Sequence, residues 1–177
     1  MARIVREGKR LRLRVAEEKD LDYIMASEAD EENAKYIIAD SRAEHRETLD
    51  SSEAVHFIVE RRDTGAAVGF VMVLGLDTPA RELEWRRVII NERGRGYGLE
   101  TLALLMAWAF EDLGAHRAWL DCKDYNTRAL HVYEKAGLRR EALLRETIFT
   151  DGKYENLVVL AILEWEWRAR QECGTWA

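Results

Sequence analysis

The residues with the clearest chemical potential lie between positions 93 and 98. Arg93-Gly94-Arg95-Gly96-Tyr97-Gly98 follows a stretch that reads as a strand and opens a stretch that reads as an amphipathic helix. Glycines let backbone N–H groups turn into one concavity and approach a ligand closely. The first turn of the helix adds unpaired N–H groups and a partial positive charge. Strand, glycine loop and helix start together describe a phosphate cradle, with Arg93 and Arg95 as added charge. The plainer alternative is an ordinary glycine-rich turn with two solvated arginines. The spacing G-x-G-x-G lacks the third glycine of the dinucleotide fingerprint, and no Gly-Lys-Ser/Thr is present for a nucleoside triphosphate. Other chemistries are poorly supplied. The four histidines show no metal-ligand spacing, so no metal site is expected. Cys122 has no histidine partner and reads as a small buried residue.

The elements that must position this loop can be read from periodicity. Residues 10–15 alternate arginine with Leu11, Leu13 and Val15, a half-buried strand. Helical pieces follow near Leu21–Met25, Asn33–Ile38 and Ser41–Leu49. Strands are expected at 55–60, 69–76 and 83–91, with a hairpin turn at Asp63-Thr64-Gly65. The helix after the glycine loop should run to Leu113, with Leu99, Leu102, Leu105, Met106, Ala109 and Phe110 on its core side. A strand at 116–122, a helix at 126–136 stopped by Gly137, and strands at 144–150 and 157–167 around Asp151-Gly152 complete the chain. Trp165 and Trp167 alternate with Glu164 and Glu166 in that last strand, marking either a contact between copies at a sheet edge or core packing. The order implies a mixed α/β (α+β) domain with a central sheet.

Composition fits this picture. The chain has 177 residues, enough for one domain with a real core, and its only proline, Pro79, marks no linker. One domain over 1–177 is therefore expected. The formal charge of −6 argues against nucleic acid as a partner. Two cysteines make no disulfide framework, and no run is long enough for a membrane span or a signal peptide. A cytoplasmic protein with no membrane partner is expected.

The loop also carries a resemblance. Arg93-x-x-Gly96-x-Gly98 is similar to the Q/R-x-x-G-x-G/A pyrophosphate motif of the Gcn5-related N-acetyltransferase (GNAT) superfamily. Twenty-eight residues beyond Gly98, Asn126-Thr-Arg-Ala129-Leu-His-Val-Tyr133-Glu-Lys-Ala-Gly137-Leu138 resembles its N-x-x-A-x-x-x-Y-E-K-x-G-F block. The final hairpin, from Arg145-Glu146 through Asp151-Gly152-Lys153-Tyr154, resembles the ribosomal-protein and spermidine N-acetyltransferase branch. Two motifs at the right separation are far more specific than either alone. Two departures stand out: the short Asn91-Glu92 approach to the glycines, and Leu138 in place of Phe.

The resemblance implies the GNAT fold, a mostly antiparallel twisted sheet of about six or seven strands flanked by helices. It implies acetyl-CoA as cosubstrate and direct attack by a primary amine. Arg93, Gly94, Arg95, Gly96, Tyr97 and Gly98 would hold the pyrophosphate. Backbone groups of Val88, Ile89 and Ile90 would polarise the thioester oxygen. Asn126 would bond the pantetheine arm or a water, and Ala129 would leave room beside it. Tyr133 would protonate the leaving thiolate, against the alternative of a core aromatic. Glu84 is the candidate base, with Glu82 as alternate, unless Glu84 merely pairs with Arg86 on its own face. His116 and His131 are weaker candidates. Trp85 is a candidate lining residue of the acceptor pocket.

Residues 17–32 hold eight acids and one lysine, and in this fold the first helices border the acceptor side. An acidic rim there would draw in a polyamine or a protein N-terminal amine; a solvated helix face is the alternative. A homodimer is the expected assembly, if any. The competing functions are transfer of a larger acyl group and a non-catalytic CoA-binding sensor.

Overall fold

A computed structural model of the chain describes residues 3–173. Eight strands join one sheet: β1 (Ile4–Glu7), β2 (Leu11–Val15), β3 (Ala54–Arg61), β4 (Ala67–Leu74), β5 (Glu82–Ile90), β6 (Arg117–Lys123), β7 (Arg139–Thr150) and β8 (Lys153–Leu163). Their spatial order is β1-β2-β3-β4-β5-β6-β8-β7, antiparallel throughout except where β5 meets β6. The helices are α1 (Leu21–Ala29), α2 (Glu31–Ala34), α3 (Arg42–Asp50), α4 (Tyr97–Ala107), α5 (Thr127–Ala136) and α6 (Glu164–Glu172). The mixed α/β architecture and the mostly antiparallel sheet agree with expectation; the sheet has eight strands rather than six or seven, because the short β1 adds an edge.

Helices cover both faces of the sheet. The larger core lies on the α4–α5 side and includes Leu11, Leu13, Phe57, Trp85, Leu102 and Leu120. A smaller one, with Ile24, Ile58, Phe70 and Ile89, lies under α1 and α3. This second cover explains why β2 does not end half-buried as its alternation suggests. Arg14 is buried too, and its guanidinium is satisfied by Asp20 and Glu60, each at 2.7 Å.

Two helical expectations shift. The piece expected at 33–38 is helical only over Glu31–Ala34 and then runs irregularly to Ser41, which caps α3 by accepting from the Glu44 N–H at 3.3 Å. The strand expected to reach Trp167 stops at Leu163, where the Glu166 carboxylate accepts the Leu163 N–H at 3.0 Å and starts α6. Trp165 and Trp167 therefore lie on a helix: Trp167 is buried beside Phe110, and Trp165 is exposed. The last turn of the long helix, Trp108–Asp112, is wound as a π-helix.

Candidate functional site

The sheet opens between β5 and β6. They pair over three residues, Glu82–Arg117, Leu83–Ala118 and Glu84–Trp119, and then part. Beyond that point β6 continues along β8 while β5 runs on beside β4 alone. From Trp85 to Ile90 the outer edge of β5 therefore faces a gap, and Val88, Ile89 and Ile90 form its far half. Opposed residues of a parallel pair share a face, so Glu84, Trp119 and Asp121 line the same side of the gap. Ile89 is buried in the smaller core, and Val88 and Ile90 pack against the larger one.

The β4–β5 register slips beside the gap: Met72 faces Arg87 and Val73 faces Trp85, leaving Arg86 as an extra residue. This bulge re-aims the side chains beyond it. The plainer alternative, a Glu84–Arg86 ion pair, does not form among the described residues. Arg86 turns to Asp40 at 3.7 Å, while Glu82 is held by Arg117 at 2.9 Å. Among the described residues Glu84 makes no ion pair. Burial pushes its carboxyl above the ordinary range; Asp121 adds to the rise, and Arg86 and Arg87 oppose it. Asp121 is raised in the same way, by burial, against the same two arginines. Trp85 is almost fully buried in the larger core and does not line an acceptor pocket.

The glycine loop lies at the end of β5. Gly94 and Gly96 both take left-handed backbone, with φ of 74° and 73°. Gly96 is the N-cap of α4 and offers no side chain, so the first amides of the helix carry no side-chain cap. A Cβ on Gly98 would come within 3.4 Å of Val132, so this glycine lets α5 approach α4. That approach brings the helix carrying Tyr133 beside the loop. An uncapped eleven-residue helix behind two left-handed glycines fits a pyrophosphate, and the gap along β5 fits an extended arm.

Arg93, however, points away from the cradle. Its guanidinium bonds Asn33 at 2.8 Å and Glu32 at 3.0 Å. Arg95 pairs with Glu92 at 3.3 Å. The loop's backbone is thus the part arranged for an anion. Arg10, which the sequence reading passed over, supports it. Arg10 donates to the Arg95 carbonyl at 2.7 Å, lies 5.0 Å from the centre of the Tyr97 ring, and pairs with Glu100 at 2.7 Å. Glu100 in turn accepts the backbone N–H groups of Arg10 and Leu11.

Tyr133, on α5, packs against the larger core. Burial raises its phenol above the ordinary value, with Cys122 and Asp121 adding to the rise, so it stays protonated at neutral pH. Asn126 caps α5 by accepting the Ala129 N–H at 3.3 Å, leaving its amide NH₂ for other partners. Ala129 packs against the larger core. Burial drives the Cys122 thiol up to about 12, which makes it inert. His116 and His131 are both exposed and join none of these groups.

Segment 30–41 crosses the gap on the α1–α3 side as a strap. Its Lys35 carbonyl accepts from Lys123, the last residue of β6, at 3.3 Å and from Tyr125 just beyond it at 3.0 Å. Its Ile38 carbonyl accepts from Arg87 of the β5 lip, and Glu32 and Asn33 hold Arg93. The acidic rim expected at 17–32 is largely neutralised: Arg14, Arg42, Arg46, Arg87 and Arg93, with Lys19 and Lys35, pair its carboxylates. The acidic surface lies instead in a neighbouring groove of about 430 Å³, where Asp40, Glu44, Glu47, Glu53 and Asp77 face one arginine, Arg86.

Known proteins share this fold. The family described as Acetyltransferase (GNAT) domain matches residues 10–139. The spermidine N(1)-acetyltransferase of Escherichia coli (strain K12) is 26% identical over 169 residues, 92% of this chain and 90% of that one. A spermidine N-acetyltransferase from Vibrio cholerae, solved with CoA and spermine, superposes with a TM-score of 0.80 at 24% identity, over 91% of this chain and 99% of that one. A dodecameric structure of the Vibrio cholerae enzyme gives 0.78 at 22% identity, over 92% and 99%.

Proposed function

This chain belongs to the acetyltransferase (GNAT) family, and from that premise we propose that it acetylates a polyamine from acetyl-CoA in the β5–β6 gap. That it is an N-acetyltransferase follows from the family and from its curated relatives. The observation that carries the site is the parting of β5 from β6, with Glu84 at one lip and Tyr133 over the other.

Acetyl-CoA supplies the acetyl thioester. The N–H groups of the 94–99 turn hold the diphosphate, and the edge of β5 at Val88–Ile90 donates to the thioester oxygen as negative charge develops there. Glu84 takes a proton from the acceptor ammonium, and the neutral amine then attacks the thioester carbon. The raised carboxyl of Glu84 makes it a stronger base than an exposed glutamate. Tyr133 gives its proton to the departing sulfur. Asn126 uses its free NH₂ on the cofactor arm, and Ala129 keeps α5 close to it.

A polyamine is favoured by the acidic groove beside Arg86 and by the activity named for the Escherichia coli relative. We place the enzyme in the cytoplasm as a single domain; among the described residues no helix is long and apolar enough to cross a membrane. A homodimer is favoured by the edge strand β7, which exposes Leu143, Leu144 and Phe149. Thiol release from acetyl-CoA, measured with spermidine, spermine, N-terminal peptides and small neutral or acidic amines, tests the reaction. Turnover confined to neutral or acidic amines would remove the polyamine.

A further inference from the structure

Beneath the strap runs a buried polar chain that lies outside the proton path. His56 Nε2 is 3.1 Å from His45 Nδ1, and His45 Nε2 is 3.3 Å from Glu28 Oε2. The same Oε2 accepts the Asp40 N–H at 3.0 Å, and Glu28 Oε1 accepts from Arg87 Nε at 3.0 Å. Glu28, His45 and His56 are all at most 1% exposed.

The hydrogen-bond roles follow from chemistry. Glu28 is ionised: burial alone would raise its carboxyl, but His45 and Arg87 outweigh that and hold it below the ordinary range. His45 must then carry a proton on Nε2, and its Nδ1 shares the second hydrogen bond with His56 Nε2. His56 Nδ1 is left without a partner inside the core. An unpaired buried nitrogen is a cost, and apolar side chains would fill this space with none. What the chain does achieve is mechanical. It fixes one carboxylate where it can grip both a side chain of the β5 bulge and the backbone of the strap.

We propose that Glu28 is a positioning residue for the amine acceptor, locking the strap at Asp40 to the β5 lip through Arg87, with His45 and His56 setting its orientation. Its two oxygens accept three hydrogen bonds, and both are needed. An amide at this position turns one acceptor into a donor facing a donor. This inference rests on the amine-transfer reading above.

Glu28→Gln is expected to raise KM for the best amine by about tenfold while kcat and the Kd for acetyl-CoA stay within about threefold. Backbone amide exchange at residues 38–40 should speed up, with β3 unchanged. His45 supplies a second, independent variant. His45→Gln keeps an N–H for Glu28 and should leave KM within about threefold, whereas His45→Phe should reproduce the Glu28→Gln effect. An unchanged KM in Glu28→Gln, a fall in kcat as large as the rise in KM, or equal behaviour of the two His45 variants overturns the proposal. If the wild-type protein turned over no amine, the amine-transfer reading would fall. The exchange measurement would still decide the lock: faster exchange confined to 38–40 supports it, and unchanged exchange overturns it.

Discussion

Replacing Tyr133 by phenylalanine separates its chemistry from its packing. The ring is packed against the larger core, and its hydroxyl makes no hydrogen bond to a described residue. Tyr133→Phe therefore removes an oxygen without orphaning a partner, and stability should change by less than about 0.5 kcal/mol. The catalytic loss should be far larger. A positioned general acid contributes roughly 10²–10⁴-fold, which is about 3–5 kcal/mol of barrier. A thiolate with an ordinary pKa of about 8.5 is well matched by a phenol held protonated above 10. The assay is steady-state thiol release with the best amine, beside a direct measurement of acetyl-CoA affinity and a thermal melt. The expected pattern is kcat down by about 100-fold or more, affinity within about threefold, and an unmoved melt. Wild-type kcat should also show no loss from phenol ionisation as pH rises toward 10, because burial lifts the phenol beyond that range. A variant that keeps kcat within about fivefold would return Tyr133 to the role of a core aromatic.

Glu84→Gln should abolish the acidic limb of the kcat/KM profile. The base works only when ionised, so wild-type activity should fall as pH drops through the raised Glu84 value, and persistence of that limb in the variant would exonerate Glu84. Gly96→Ala places a Cβ on backbone at φ 73°, 3.4 Å from the Arg10 guanidinium. The strain of about 1–2 kcal/mol should weaken acetyl-CoA binding roughly tenfold by calorimetry, and an unchanged Kd would refute the cradle. His56 gives a stability test. Burial, with His45 adding, lowers its pKa to about 4, whereas an unfolded histidine protonates near 6.5. Between these values the unfolded chain binds more protons, so His56's contribution, about 3 kcal/mol at most, is complete above pH 6.5 and lost as pH falls through 4. Urea unfolding at several pH values should show His56→Phe with the flatter profile, and parallel profiles would refute it.

Much of this was legible in the chain because the strong signals were local. The Arg93–Gly98 loop, the Asn126–Tyr133 block and the Asp151-Gly152 turn each declare themselves within a dozen residues. What escaped depends on partners far away in sequence. Residues 35–38 read as helix, with Tyr36, Ile37 and Ile38 apolar, yet the Lys35 and Ile38 carbonyls bond Lys123, Tyr125 and Arg87 instead of helical N–H groups. The alternation of Glu and Trp at 164–167 matches a strand, and only Glu166 reaching back to Leu163 turns it into a helix. The Arg86 bulge has no local mark, because its extra residue is counted only against β4. His45 and His56 meet through the packing of α3 on β3, and their spacing of eleven residues spells no motif. The bias toward acid at 17–32 was real, but its meaning as a rim was not, since five arginines from elsewhere answer it.

The brief contact between β5 and β6 has a mechanical consequence. The sheet is two panels, β1–β5 and β6–β8, hinged along three residue pairs at one end. A ligand lodged in the open end acts as a brace between the panels, and occupancy and rigidity then rise together. At a concentration 100 times its Kd, such a brace adds about 2.7 kcal/mol to stability. The added protection should reach β6 and β8 as well as the glycine loop, because the brace ties together panels that the backbone itself leaves almost separate.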